Sequence, residues 1–209
     1  MAHRRFARPQ DLGLRRGEFA VLARLRTPQK IQRFLNGVSV NHEVGGETIL
    51  SVRQVLKQRR AHCIEAAFVA ACALWVQGKP PLVMYLDCDP SDCAHVVTLF
   101  KDRGSWGAIS KSRGAGLHFR DPVYRSLREL AMSYFHEYTN TRGHRTLRSH
   151  SVAFDMRNIE PGLWVTSSEP CEEAQDRLAS LRQYRMISRQ GENPVLNWNP
   201  MSSTRPAVA

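Results

Sequence analysis

Residues 63–76 read CIEAAFVAACALWV, a run in which Glu65 is the only charged side chain. The run is apolar around its whole circumference and stops before Gly78, which predicts a buried helix with a glycine just after its C-terminal end. Cys63 then lies in the first helical turn. There the positive end of the helix dipole and the backbone N–H groups that have no partner within the helix favour the thiolate, the nucleophilic form of cysteine.

A second apolar run follows and begins with a histidine. Residues 95–100 read HVVTLF and predict a buried strand that His95 opens. A cysteine at a helix start with a histidine on a later strand is the arrangement that Cys/His nucleophilic catalysis needs, with the histidine as general base and then general acid. His62 is a poorer choice of base, because residues adjacent on a helix do not face each other.

The order of these segments resembles the transglutaminase-like branch of the papain-like cysteine-enzyme superfamily. The resemblance covers residues 27–140 and rests on Cys63 at the head of a buried helix, His95 at the start of a strand, and a tryptophan-containing strand over residues 106–112. It implies an α+β fold with a papain-like core, in which the helix that begins with the cysteine packs on an antiparallel sheet. It also implies a thiol enzyme that hydrolyses or transfers an amide or isopeptide bond of a protein or peptide, without an organic cofactor.

The third catalytic residue is where the sequence departs from the family. The resemblance implies an acidic or amide residue shortly after the tryptophan, and Ser110 stands at that place. A serine can accept a hydrogen bond from an imidazole N–H, but it cannot stabilise an imidazolium by charge. Asp102, in a turn, and Asp121, before a proline, are alternative sources of a carboxylate, and spacing does not decide between them.

The catalytic set implied by the resemblance is therefore Cys63, His95 and Ser110. The serine leaves open whether the chain is an enzyme, as a cysteine peptidase, an amidase or an acyl transferase. The alternative is a binding or scaffold module that has kept the fold and lost the chemistry.

A metal site is a further alternative, with Cys88, Cys93 and His95 as ligands and Cys63 as the fourth. The spacing Cys-x4-Cys-x-His is not a zinc-binding pattern, and the sequence contains no CxxC or HxxxH pair. The acidic loop over residues 87–92 lacks the glycine and the final glutamate of an EF-hand loop. We therefore expect neither a metal nor a cofactor.

The positive charge of the chain is concentrated near its N-terminus. Of the net charge of +11, residues 1–60 contribute 13 Lys and Arg against 4 Asp and Glu, whereas residues 61–140 contain 8 of each kind. The N-terminal region is therefore suited to an anionic partner, although no nucleic-acid-binding motif accompanies the arginines.

Composition limits the class of protein. The 209 residues, 42% hydrophobic and 23% charged, are enough for one sizeable core. No apolar run is long enough to span a bilayer, and the first residues lack the apolar segment of a secretory signal. The five cysteines are an odd number, which fits reduced thiols. We expect a cytoplasmic protein without membrane contact, of an oligomeric state that the sequence does not determine.

The sequence predicts four parts: a basic N-terminal extension (1–26), a transglutaminase-like core (27–140), a C-terminal α/β appendage packed on the core (141–192) and a flexible tail (193–209). Helices are predicted over 18–24, 29–35, 51–60, 63–76, 121–138 and 170–187. Strands are predicted over 82–86, 95–100, 106–112, 152–156 and 163–166.

Overall fold

The computed structural model describes residues 6–42, 48–112 and 115–188. The tail predicted over 193–209 lies outside the described residues. The helices are α1 (Pro9–Leu12), α2 (Arg16–Arg24), α3 (Pro28–Asn36), α4 (Val52–Gln58), α5 (Cys63–Val76), α6 (Leu127–Met132), α7 (Pro161–Trp164) and α8 (Glu172–Ala179). The strands are β1 (Ser39–Val40), β2 (Arg60–Ala61), β3 (Leu82–Cys88), β4 (His95–Asp102), β5 (Ser105–Ile109), β6 (Arg120–Tyr124), β7 (Leu147–Ser151), β8 (Phe154–Asp155) and β9 (Gln183–Arg185).

The apolar run at 63–76 forms the central helix, as predicted. Every residue of α5 except Val76 is buried, including the glutamate of its first turn. Gly78 follows the helix with a φ of +76°, a conformation that side chains with a Cβ rarely adopt, and the ring of Phe6 packs against it. The helix therefore begins and ends where its sequence indicates.

The main sheet is antiparallel and has the strand order β6-β5-β4-β3-β7-β9, with β8 paired to the first residues of β3. The two short strands β1 and β2 form a separate parallel pair just before α5. Helices pack against the sheet, so the molecule has the α+β class expected from the sequence. Among the described residues, no helix combines the length and apolarity needed to cross a membrane.

Two apolar clusters lie on the two faces of the sheet. One contains α5 with Val83, Val96 and Phe100, and the other contains Val97 and Leu99 together with α6 and the residues that follow it. Successive β4 residues thus face opposite clusters, and both faces are covered. This explains why residues 95–100 form a continuous apolar run in place of an alternating one.

Both ends of the described part of the chain belong to this same architecture. Leu12 and Leu22, from the segment predicted as an N-terminal extension, are buried in the cluster around α5. The segment predicted as a C-terminal appendage supplies β7 and β8, which pair with β3. It also supplies Trp164, which is fully buried with its ring centroid 5.9 Å from that of Phe68 on α5.

The long helix predicted over 121–138 is wrong. Residues 120–124 form the edge strand β6, in which Trp106 pairs with Tyr124 and Ala108 with Arg120. An edge strand tolerates Pro122, which has no N–H to donate. The helix begins only after Ser126, whose hydroxyl accepts a hydrogen bond from the backbone N–H of Glu129 at 3.1 Å. Asp121, at the start of the predicted helix, is therefore an exposed strand residue.

Two predictions near the C-terminus are also wrong in part. The strand predicted over 163–166 is replaced by the short helix α7, which has Pro161 at its first position. The helix predicted over 170–187 is shorter, because α8 ends at Ala179 and residues 183–185 form β9 against β7.

Candidate active site

The start of α5 faces a cleft of about 450 Å³. Cys63 is the first residue of the helix and is only 6% exposed. The described residues that line the cleft come from the β2–α5 junction, the loop before β4, the segment after β5 and the segment after α6. They include Cys63 and His95, so the structure brings together two of the residues that the sequence singled out.

His95 is held by Ser110. The Nε2 atom of His95 lies 2.6 Å from the Ser110 Oγ, and both side chains are buried. In the β4–β5 pairing Thr98 lies opposite Ile109, the last residue of β5. Ser110 follows it directly, and continuing the register places it diagonally across from His95 on the same face. The expected contact between these two residues is present, and it leaves Nδ1 as the ring nitrogen available to the cysteine.

Ser110 is in turn fixed by Gln32 of α3. The Gln32 Nε2 donates to the backbone carbonyl of Ser110 at 2.8 Å, and its Oε1 accepts from the Ser110 N–H at 3.0 Å. The amide thus satisfies both backbone groups of the serine at the end of β5. No sequence signal connects these two residues, because 78 positions separate them.

The Cys63 thiol lies near two imidazoles. It shares the cleft lining with His95, and its Sγ lies 3.4 Å from the Nδ1 of His62. The expectation that His62 cannot face the sulfur is wrong. His62 is the N-cap residue, with φ −86° and ψ 179°, so its side chain does not follow the helical spacing on which that expectation depended.

The electrostatic result is a thiol that ionises readily. Burial opposes ionisation, but the positive charge of His95 and the hydrogen bond with His62 outweigh it and lower the pKa of Cys63 to about 5. Burial without such partners raises the pKa of Cys72, the other cysteine of the same helix. Position relative to the imidazoles therefore distinguishes the two thiols.

A buried carboxylate fixes the residues that precede Cys63. Glu65 is fully buried, and its oxygens accept from the backbone N–H of His62 at 2.5 Å and of Leu50 at 2.7 Å. They also accept from the Asn41 amide at 3.0 Å and the Thr48 hydroxyl at 2.9 Å. A glutamate at the third helical position is a recognised capping signal, and it could have placed His62 outside the helix from sequence alone.

Other polar residues of the cleft already have partners. The ammonium of Lys111 donates to the carbonyls of Leu35 at 3.2 Å and Val38 at 2.7 Å, and burial lowers its pKa. The Tyr138 hydroxyl donates to the carbonyl of Cys93 at 2.6 Å, and its ring lies edge-on to His95 with centroids 6.4 Å apart.

The alternative carboxylates do not reach the histidine. Asp102 ends β4, the strand that His95 begins, and seven residue steps along a strand cover about 23 Å. Asp121 is an exposed residue of the edge strand β6. Of the three candidates for the third position, the structure therefore places only Ser110 against His95.

The metal alternative receives no geometric support in residues 6–42, 48–112 and 115–188. Within these ranges no three His, Cys, Asp or Glu side chains come together in a way that could hold a metal ion. Cys88 is half-buried, and burial together with the negative charges of Asp92 and Asp87 raises its pKa to about 12, which disfavours the thiolate that a metal needs.

No protein-family profile matches this chain, and no curated protein sequence matches it either.

Proposed function

We propose that this chain is a transglutaminase-like thiol enzyme with a papain-like core, and that it acts on an amide or isopeptide bond of a protein or peptide. The observation that carries the proposal is the linked set at the head of α5. Cys63 and His95 line the same cleft, the positive charge of His95 lowers the pKa of the Cys63 thiol, and the Nε2 of His95 lies 2.6 Å from the Ser110 Oγ. A nucleophile, a base and an orienting group in this relation form a catalytic triad in geometry.

The proposed reaction begins with transfer of the thiol proton to Nδ1 of His95. The thiolate attacks the carbonyl carbon, a C–S bond forms, and the π electrons of the carbonyl move to its oxygen. Collapse of this intermediate breaks the C–N bond, and the His95 imidazolium gives its proton to the departing amine. A water or a second amine, deprotonated by His95, then attacks the thioester and releases the Cys63 thiolate.

The helix start can stabilise the oxyanion of that intermediate. The backbone N–H of Cys63 belongs to the first turn of α5, where no acceptor exists within the helix, and the dipole of the helix is positive there. Backbone donors positioned in this way are worth about 3–4 kcal/mol to acyl-transfer transition states.

Ser110 sets the expected level of activity. A serine can fix the tautomer of His95, but it adds no negative charge beside the imidazolium. In a Ser-His-Asp enzyme, loss of the acidic member costs about four orders of magnitude in turnover. We therefore expect slow turnover of activated substrates. A serine in place of an acidic residue at position 110 also favours the second candidate function, a binding module with the same fold.

The experiment measures release of a chromophore from activated amides and esters by the full chain and its variants. Cys63→Ala and His95→Ala should abolish turnover, and Ser110→Asp should increase it because a carboxylate stabilises the imidazolium. The control is Cys72→Ala, which changes a buried thiol of the same helix that does not line the cleft. Folded but inert wild-type and Ser110→Asp proteins with an unreactive Cys63 would overturn the proposal in favour of the binding module.

A further inference from the structure

We propose that His62 is a second catalytic imidazole, which donates a hydrogen bond from Nδ1 to the Cys63 thiolate while His95 moves the proton. The inference deepens the proposed function and rests on it for the reaction, but the contact itself does not. The 3.4 Å separation joins the His62 Nδ1 directly to the reacting sulfur. His62 thereby supplies the thiolate with a donor that does not take part in proton transfer.

The position of His62 is determined by its backbone. Its N–H donates to Glu65 at 2.5 Å, and its carbonyl accepts from Ala66 at 2.9 Å as the first bond of the helix. Ala61, the residue before His62, belongs to β2, which pairs with β1. Its carbonyl accepts a hydrogen bond from the Asn41 N–H at 3.1 Å. These bonds fix the backbone on both sides of the ring in an extended conformation, with a ψ of 179°, and from there Nδ1 reaches the sulfur.

The need for a second imidazole follows from Ser110. The serine adds no negative charge beside His95. The imidazolium is therefore less stable than it would be beside a carboxylate, and it stabilises the thiolate less. His95 must also be neutral when it deprotonates the water or amine that attacks the thioester. At that step a donor on His62 still stabilises the sulfur as it leaves, and a more stable thiolate is a better leaving group.

No proton or electron pair is transferred through His62 in this scheme. Its neutral tautomer with a proton on Nδ1 keeps that proton throughout, and the hydrogen bond strengthens whenever the sulfur is anionic. The titratable or charged residues that face the sulfur or line the same cleft from other elements are His95, Asp92, Cys93, Lys111, Glu137 and Tyr138.

The first experiment compares the pH dependence of Cys63 alkylation by iodoacetamide, followed by peptide mass spectrometry, in four full-length proteins. In the wild type the midpoint should lie near pH 5. His62→Leu should move it upward by about one pH unit or more, which slows alkylation about tenfold at pH values below both midpoints. His62→Asn, whose amide nitrogen can occupy the place of Nδ1, should restore part of the shift. His136→Leu changes an exposed histidine outside the cleft and should leave the midpoint unchanged.

The second experiment does not require a folded His62 variant. The ring ¹⁵N resonances of His62 are compared at pH 7 in the wild type and in Cys63→Ala. Loss of the thiolate acceptor should change the chemical shift of the His62 Nδ1. An unchanged alkylation midpoint in His62→Leu, or an unchanged Nδ1 resonance in Cys63→Ala, overturns the inference.

The two proposals fail in different ways. A wild type that shows the His62-dependent midpoint but no amide or ester turnover overturns the proposed function and retains the His62–Cys63 pair. A wild type that turns over substrate with a midpoint independent of His62 retains the function and removes His62 from it.

Discussion

At the scale of single residues, the two cysteines of α5 show how surroundings determine thiol chemistry. Cys63 and Cys72 are both buried and lie on the same helix. The imidazoles at the helix start lower the pKa of Cys63 to about 5, whereas burial raises that of Cys72. The difference cannot come from the helix sequence alone, because the charge of His95 acts on the thiol from a strand.

The prediction at this scale concerns selective alkylation. At pH 7 Cys63 should react with iodoacetamide much faster than Cys72, because it is ionised at this pH and Cys72 is not. A folded-state pKa near 5 means that the Cys63 rate should be nearly constant above about pH 6 and should fall about tenfold per unit well below pH 5. Site-resolved mass spectrometry measures each thiol separately.

His95→Ala is the matched test of the cause. Without the positive charge of His95, the midpoint of the Cys63 profile should move to higher pH, while Cys72 remains unreactive. A Cys63 profile that rises only near the ordinary thiol range in the wild type would contradict an activated cysteine.

At the scale of elements, helices α5 and α6 start with the same capping interaction, which is buried in α5 and exposed in α6. Glu65 in α5 and Glu129 in α6 both stand in the first turn, and each accepts from a backbone N–H just before its helix. Glu129 is exposed, whereas Glu65 is fully buried and also accepts from Asn41, Thr48 and Leu50. The second arrangement ties the segment around Asn41, Thr48 and Leu50 to the start of α5.

We predict that Glu65→Gln destabilises the protein far more than Glu129→Gln. The groups that bond the Glu65 oxygens are all hydrogen-bond donors. The NH₂ group of a glutamine at this position would be a further donor without an acceptor, and an unsatisfied buried polar group costs about 1–3 kcal/mol. The exposed Glu129→Gln should change the free energy of unfolding by no more than about 0.5 kcal/mol. Urea unfolding followed by circular dichroism measures both, and equal effects would show that Glu65 is only a helix cap.

At the scale of the whole molecule, the core is built from distant parts of the chain. The cluster around α5 contains side chains from residues 7–25 and from residues 154–178, and β3 is paired on one edge with β7 and β8. The segment that carries Cys63, His95 and Ser110 therefore depends on both ends of the described chain for its buried surface.

The prediction at this scale is that residues 27–140 alone do not fold. Removing the rest exposes an edge of β3 and the apolar face of α5, and unpaired strand edges favour aggregation. The fragment should lack a cooperative urea transition and dispersed amide resonances, both of which the full chain should show. Trp164→Ala in the full chain provides an independent measure, because loss of this buried ring should cost about 3–5 kcal/mol. A cooperatively folded fragment would support the boundaries that the sequence predicts.

The sequence by itself determines the features that depend on neighbours in the chain. The apolar run predicts α5, and the hydroxyls of Thr27 and Ser51, residue types that favour helix starts, cap α3 and α4 with hydrogen bonds of 3.2 and 3.3 Å. The continuous apolar run of β4 predicts a strand covered on both faces, and its first residue is the histidine that meets Cys63. These signals act within a few residues, so they can be read without knowledge of the fold.

Only the tertiary structure decides the features that depend on distant partners. The apolar spacing over 121–138 is typical of a helix, yet pairing with β5 makes its first part a strand. The contact of Ser110 with His95 depends on the register of two strands. The hydrogen bond of Gln32 with the Ser110 backbone joins residues that are 78 positions apart. Even His62, adjacent to Cys63 in sequence, faces the sulfur only because Glu65 and the β1–β2 pair fix its backbone outside the helix. Such contacts arise when separate elements pack together, and local sequence preferences do not encode them.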